Sequence, residues 1–324
     1  MATLPILAEL PCGFFLEESP RGVLALHADV ARELHERGFG PERDGELVKS
    51  ELAGRRPLYD LGGGLLLRRF SHGGLTRWLT GVRYLDPERP FRELILSHSL
   101  RSAGIRTPQI VAARARLARG VGWHLDVVAR RVPDSVDLGY VLGMARRGEL
   151  ERSALRSIAR AAGELVRQLH RHGCMHADLT PSNILVGRDT LREGAAAELW
   201  VIDLDRSTLV GELGHGRRLL NLRRLYRFVR RRDREHGRAL SSTDYARFFR
   251  GYDPDRGHWK ADWRLISAAH SRSRLLHSLG WFFESAFGRA PDPRDAAAES
   301  ERAGGVLGVH RLGAGDGRGG AGSG

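Results

Sequence analysis

Lysine is nearly absent. It occurs only at Lys49 and Lys260 in 324 residues, and every other basic side chain apart from histidine is arginine. A GC-rich coding bias explains that preference without removing its consequence. A surface carrying a formal charge of +13 as guanidinium attracts phosphate on nucleic acid, anionic lipid or a phosphorylated glycolipid. Cysteine is scarce as well. Cys12 and Cys174 are too few for a disulfide framework and form no metal-type pair, which points to a reducing compartment. No apolar run reaches the ~18 residues that span a bilayer. The opening "MATLPILAELPCGFFLEESPRG" has no basic start and is broken by Pro5, Glu9 and Pro11, so it does not read as a signal peptide. These absences predict a cytoplasmic protein able to touch an anionic membrane surface. Motifs with aromatics interleaved among basic residues are also missing, so no nucleic-acid partner is expected. A basic nucleic-acid-binding protein remains the third-ranked alternative on charge alone.

Along the chain, "ELVKSEL" (46–52), "PLYDL" (57–61) and "LLLRRF" (65–70) read as three short strands with Gly-rich turns between them. "RPFRELILSHSLRSAG" (89–104) reads as a helix ending at Gly104. "TPQIVAARARL" and "GWHLDVVARRV" read as two further strands. From about Val132 the periodicity is helical. In "SALRSIARAAGELVRQLHRHG" (153–173), Leu155, Ile158, Ala162, Leu165, Val166 and Leu169 share one face, with Gly173 at the end. Residues 217–238 form a second long helix, apolar at Leu222, Leu225, Tyr226 and Val229 and otherwise dense with Arg. That Arg face is either simply solvated or a surface for anionic headgroups. The Gly-rich end of the chain cannot bury apolar surface and is expected to be disordered over 288–324.

Between the two long helices lie "HADLTPSNILV" (176–186) and "VIDLD" (201–205). The spacing H-x-D-x-x-x-x-N lets a carboxylate, Asp178, and an amide, Asn183, point into one cleft. Asp178 can accept a proton from a hydroxyl nucleophile. The Asn183 carbonyl oxygen is a hard ligand for Mg²⁺, and Asp203, ending a strand, supplies a second oxygen. So sparse a ligand set suits Mg²⁺ bridged to phosphate, with positioning and charge neutralisation as the chemistry. His176 belongs to the same loop and is grouped with Asp178 at the catalytic centre. It could instead ligate a metal with Cys174 and Asp178, or be a hydrogen-bonded loop residue. Asp205 is either a substrate or metal contact or a turn-forming Asp.

This is similar to the catalytic-loop pattern of the protein-kinase-like fold. An α+β, two-lobed architecture follows from that similarity: an antiparallel sheet with one helix over 44–132, then a mainly helical lobe over 133–287. Residues 1–43 are an extension or the first part of the sheet lobe. More closely, "LLLRRFSHGGLTRWLTGVRYL", "RPFRELILSHSLRSAGIRTPQIVAA", "HADLTPSNILV" and "WVIDLDRS" resemble the lipopolysaccharide core kinases over roughly residues 45–235. The kinases of 3-deoxy-D-manno-octulosonic acid (Kdo) are nearest, and the heptose kinases next.

The resemblance implies ATP and Mg²⁺ as cofactors and a glycolipid acceptor, Kdo-lipid A or core oligosaccharide. It also implies action at the inner face of the inner membrane. Asp178 would be the base, with Asn183 and Asp203 the Mg²⁺ ligands. Arg68 would be the phosphate-binding cation, oriented by Glu93; Arg69 takes the role if the strand alternation is off by one. Gly54 and Arg55 would form the phosphate flap, and the adenine edge would meet backbone from Ala129 to Val132. Two departures stand out: Ala177 replaces the Arg of the protein kinases' H-R-D, and Thr180 stands where they commonly carry Lys. With no A-P-E following, a small-molecule or glycolipid acceptor fits better than a protein. Alternatives are a heptose or other small-molecule kinase, or a kinase-like binding module that turns nothing over.

Overall fold

The computed structural model describes residues 4–50, 58–71, 83–192, 194–255 and 257–268. All lie within one unit, Met1–His270. The expected tail, 288–324, lies outside the described residues, as do Gly54 and Arg55.

A seven-stranded, wholly antiparallel sheet comes first in the chain. Its strands are β1 (Phe14–Ser19), β2 (Gly22–His27), β3 (Val48–Lys49), β4 (Leu58–Gly62), β5 (Leu65–Arg69), β6 (Ile110–Leu117) and β7 (Trp123–Arg130). They are ordered β1-β2-β6-β7-β5-β4-β3. Residues 14–27, left open by the sequence, therefore supply two strands, with β2 paired to β6 from Gly22↔Arg116 to Leu26↔Ala112. Helix α1 (Ala28–Glu36) covers one face, where Val30 and Leu34 meet Leu24, Leu65 and Leu67. Helix α2 (Arg89–Ser102) covers the other, where Phe91 and Leu94 meet Phe70, Ala113 and Leu125.

The remaining elements are mostly helical: α3 (Leu138–Arg147), α4 (Arg152–Arg171), α5 (His215–His236) and α6 (Ser242–Tyr252). Short strands β9 (Cys174–Met175), β10 (Ile184–Gly187), β11 (Leu199–Val201) and β12 (Thr208–Leu209) carry the loops between α4 and α5, and β8 (Ser135–Asp137), just before α3, pairs with β10. The helical core takes the whole predicted α4 stripe together with Leu96, Leu100 and Ile105. Helix α2 thus belongs to both cores: its first turns pack on the sheet and its last turns on the helices. Burial on two sides fixes its position, and with it that of Glu93.

One interior cation is fully paired. Arg114, fully buried, bonds the fully buried Asp126 through Nε at 3.0 Å and the carbonyls of Gly40 and Arg43 through Nη1 at 2.8 and 2.6 Å. It thereby ties the loop before β3 onto the sheet.

Candidate active site

Strand alternation places Arg68. In β5, Leu65 and Leu67 point into the α1 core, while Arg68 and Phe70 face α2. The Arg68 guanidinium lies 4.6 Å from the Phe70 ring centroid and is hydrogen-bonded to Glu93 Oε2. Its Nη1 lies 3.5 Å from Asp203 Oδ1, an ion-pair distance at which neither atom has a hydrogen-bond partner among the described residues. Arg69 points the opposite way, to Asp126 and Asp44, both at 3.0 Å. Arg68, not Arg69, is the one paired with Glu93. Burial of Glu93 raises its pKa to about 7, with Asp205 and Asp203 adding to the rise and Arg68 opposing it.

The catalytic loop is built around His176, which is fully buried. Its Nε2–H donates to Ile202 O at 3.1 Å, and its Nδ1 accepts from the Asp178 N–H at 3.1 Å. Burial lowers its pKa, so the ring is neutral. Both nitrogens are spent on backbone, which corrects the grouping of His176 with the catalytic residues. It shapes the loop, with both ring nitrogens already bonded. Pro181–Asn183 form a single 3₁₀ turn. From it the Asn183 side chain donates to Asp178 O at 2.7 Å, and its backbone carbonyl accepts from Ile202 N–H at 3.0 Å. One residue thus fixes the spacing of both predicted segments and leaves its Oδ1 without a donor among the described residues.

Asp203 follows β11 at φ 60°, in the left-handed region that L residues with a Cβ seldom adopt. Its Oδ1 is buried and accepts no hydrogen bond. A carboxylate oxygen in a strained loop, facing a cation without bonding it, is suited to a hard metal ion. Among the described residues no three His, Cys, Asp or Glu side chains group to hold a metal. An ion held by Asn183 and Asp203 would complete its shell with oxygens from outside the protein, water or phosphate.

Three further residues at this site were not assigned from the sequence. Arg89 donates from Nε and Nη2 to the two oxygens of Asp205, both at 2.6 Å, and stacks 4.9 Å from the Tyr84 centroid. Asp205 is thus locked to α2, neither a free ligand nor merely a turn former. Asn221 of α5 clamps His176: its Oδ1 accepts from the His176 N–H at 3.2 Å and its Nδ2 donates to His176 O at 2.8 Å. Arg224, one turn on, donates from Nη1 to Ala177 O, and its Nε lies 3.1 Å from Asp178 Oδ1. The only advance signal was Asn221, a polar residue beside the apolar stripe.

Ala129 sits in β7, paired to Leu66 and Ile110. The N–H groups of Arg130 and Arg131 go to Gln109 O and Gly64 O. The Val132 carbonyl accepts from Ser135 Oγ at 3.1 Å, and its N–H has no acceptor among the described residues. A cavity of about 70 Å³ lies elsewhere, in the helical core among residues such as Leu138, Ile158 and Leu225. Its lining is apolar, so it is no candidate for the chemistry.

Comparison with known proteins places the chain beside sugar kinases. The family described as "Lipopolysaccharide kinase (Kdo/WaaP) family" matches residues 23–252. A 3-deoxy-D-manno-octulosonic acid kinase of Xanthomonas euvesicatoria is 30% identical over 192 residues, 58% of this chain and 70% of that protein. The Vibrio cholerae kinase of the same name is 28% identical over 168 residues, 50% of this chain and 63% of that one. The Stenotrophomonas maltophilia kinase is 29% identical over 195 residues, 59% and 72%. A solved structure, "WaaP in complex with acyl carrier protein", aligns with a TM-score of 0.48 at 19% identity, covering 83% of this chain and 92% of the other.

Proposed function

The chain belongs to the lipopolysaccharide kinase (Kdo/WaaP) family, and on that premise we propose a two-lobed, protein-kinase-like enzyme in which Asp178 activates a hydroxyl of Kdo attached to lipid A. It is a phosphotransferase of the lipopolysaccharide inner core, acting on a sugar hydroxyl with ATP as donor. The observation that carries the assignment of roles is the Arg68–Glu93 pair lying against Asp203, because it joins a cation, its orienting carboxylate and a metal-type oxygen.

Arg68, aligned by Glu93 and Phe70, grips the donor phosphates. Val132 offers its free N–H to the adenine edge, and Gly54 and Arg55 cover the phosphates. Asn183 and Asp203 would hold Mg²⁺, which when bound neutralises charge on the phosphate oxygens. Asp178 takes the acceptor proton as the hydroxyl oxygen attacks the γ-phosphorus. Because the acceptor is lipid-linked, the enzyme meets it at a membrane surface, the inner face of the inner membrane. No helix among the described residues is long and apolar enough to cross a membrane. The exposed Arg face of α5 provides the contact.

The test uses γ-labelled ATP, Mg²⁺ and three acceptors: Kdo-lipid A precursor, a heptosylated core and a bulk protein. The expected result is label in the Kdo lipid, reduced about 100- to 10,000-fold in Asp178→Ala, the range a general base contributes. Label in the heptosylated core alone would move the acceptor to heptose. No transfer by the wild type would favour a binding module.

A further inference from the structure

Arg224 stands against the proposed base, and its position is fixed. Asn221 keys α5 to the backbone of His176, and one turn later Arg224 reaches over Ala177 to the Asp178 carboxylate. Both side chains are about half exposed, 44% and 45%. A carboxylate oxygen held by a guanidinium is not available to take a proton. A pair this open to water is weak and readily exchanged for a better partner. Among the described residues no other carboxylate pairs with Arg224. On the proposed reading the donor phosphates already have a cation in Arg68, from the sheet, whereas Arg224 reaches the base itself from α5.

We propose that Arg224 is the receptor for the carboxylate of an acidic acceptor sugar, and that binding this carboxylate draws Arg224 off Asp178 and frees the base. The proposal rests on Asp178 being the base and on an acidic sugar, here Kdo, as acceptor. A guanidinium fork matches a carboxylate with two parallel bonds, which Asp178 does not receive from Arg224 in the unliganded arrangement. Once released, Asp178 accepts the acceptor O–H proton. The new O–P bond forms at the γ-phosphorus, and the bond to the β-phosphate bridging oxygen breaks with its electron pair leaving on ADP. A neutral sugar has no group to exchange with Asp178 and finds the base still paired. The acceptor's own charge thus gates the reaction.

The test compares the full chain with Arg224→Gln and Arg224→Lys on three acceptors: Kdo-lipid A precursor, the same lipid with the Kdo carboxyl reduced to a primary alcohol, and a heptosylated core. The wild type is expected to prefer the acid by about 100-fold in kcat/KM, as a charged hydrogen-bonding pair allows. Arg224→Gln should lose most of that on the acid, chiefly through KM, and gain on the reduced lipid, because Asp178 is no longer paired, so that discrimination collapses. Arg224→Lys should restore part of it. KM for ATP should not move. Equal losses on both Kdo lipids, or a raised KM for ATP, would overturn the proposal and make Arg224 a phosphate cation or a structural residue. A wild type that labels the heptosylated core and neither Kdo lipid would instead remove the Kdo reading on which the proposal rests.

Discussion

Glu93 must be ionised to hold Arg68, yet it is 6% exposed and has Asp203 and Asp205 as neighbours. Burial outweighs the attraction of Arg68 and lifts the carboxyl from 4.5 to about 7. The folded chain therefore binds this proton more tightly than the unfolded chain does. The stability it contributes is complete below pH 4.5 and is lost as pH rises to about 7, on the order of 3 kcal/mol. Glu93→Gln cannot ionise. Denaturant unfolding between about pH 4 and 8, which spans both values, should show the variant gaining on the wild type as pH rises and then levelling. Its activity should fall about 10- to 100-fold, since an amide aligns Arg68 less firmly. A constant stability difference across the range would mean that Glu93 ionises in the fold as readily as in the unfolded chain.

Helices α4 and α6 cross where both carry glycine. A Cβ on Gly163 would lie 1.9 Å from Phe248 O, and one on Gly251 would lie 2.1 Å from Arg160 O. Alanine in a helix gains about 1 kcal/mol over glycine. Here it would have to push one backbone off another, which costs more than that gain. Gly163→Ala should therefore lower stability by roughly 1–3 kcal/mol, read as a lower denaturant midpoint with little change in slope; a rise in the midpoint would mean that the crossing can open. The apolar stripe of α4 was legible in the sequence because it is local and periodic. The glycine contact was not, because it depends on a partner some ninety residues away. The same contrast applies elsewhere. β4, β5, α2, β6 and β7 lie close to where turn signals and periodicity put them. β2 was missed because its five-residue apolar run gains meaning only beside β6. Asp178, Asn183 and Asp203 announced themselves by spacing. Arg224 is one Arg among many in α5, and its place at the loop depends on the bonds from Asn221 to His176, which local sequence does not reveal.

The cationic excess of the whole molecule is not spread evenly. Along α5, Arg217, Leu220, Arg224, Arg227, Arg231 and Arg234 are all exposed and recur at alternating steps of three and four. That is one helical stripe about 25 Å long, with Arg224 at the Asp178 carboxylate. Only Arg231 is offset by an acid on the same helix, Glu235 at 3.1 Å, among Arg227, Arg231 and Arg234. A basic side chain near an anionic bilayer contributes about 1 kcal/mol. Neutralising Arg227, Arg231 and Arg234 to Gln should then weaken partitioning onto phosphatidylglycerol vesicles by about 100-fold. Wild-type binding should fall as salt shortens the screening length from about 10 Å at 0.1 M to 3 Å at 1 M. Turnover of a water-soluble acceptor should be unchanged, because none of the three touches Asp178, Asn183, Asp203 or Arg68. Vesicle co-sedimentation measures the first two effects and a phosphate-transfer assay the third. If the triple variant still partitions like the wild type, attraction comes from the diffuse field of the +13 chain, and α5 does not orient the enzyme. If binding is lost with chemistry intact, the helix that holds the catalytic loop also faces the membrane, and the lipid-linked sugar approaches along the side where Arg224 waits.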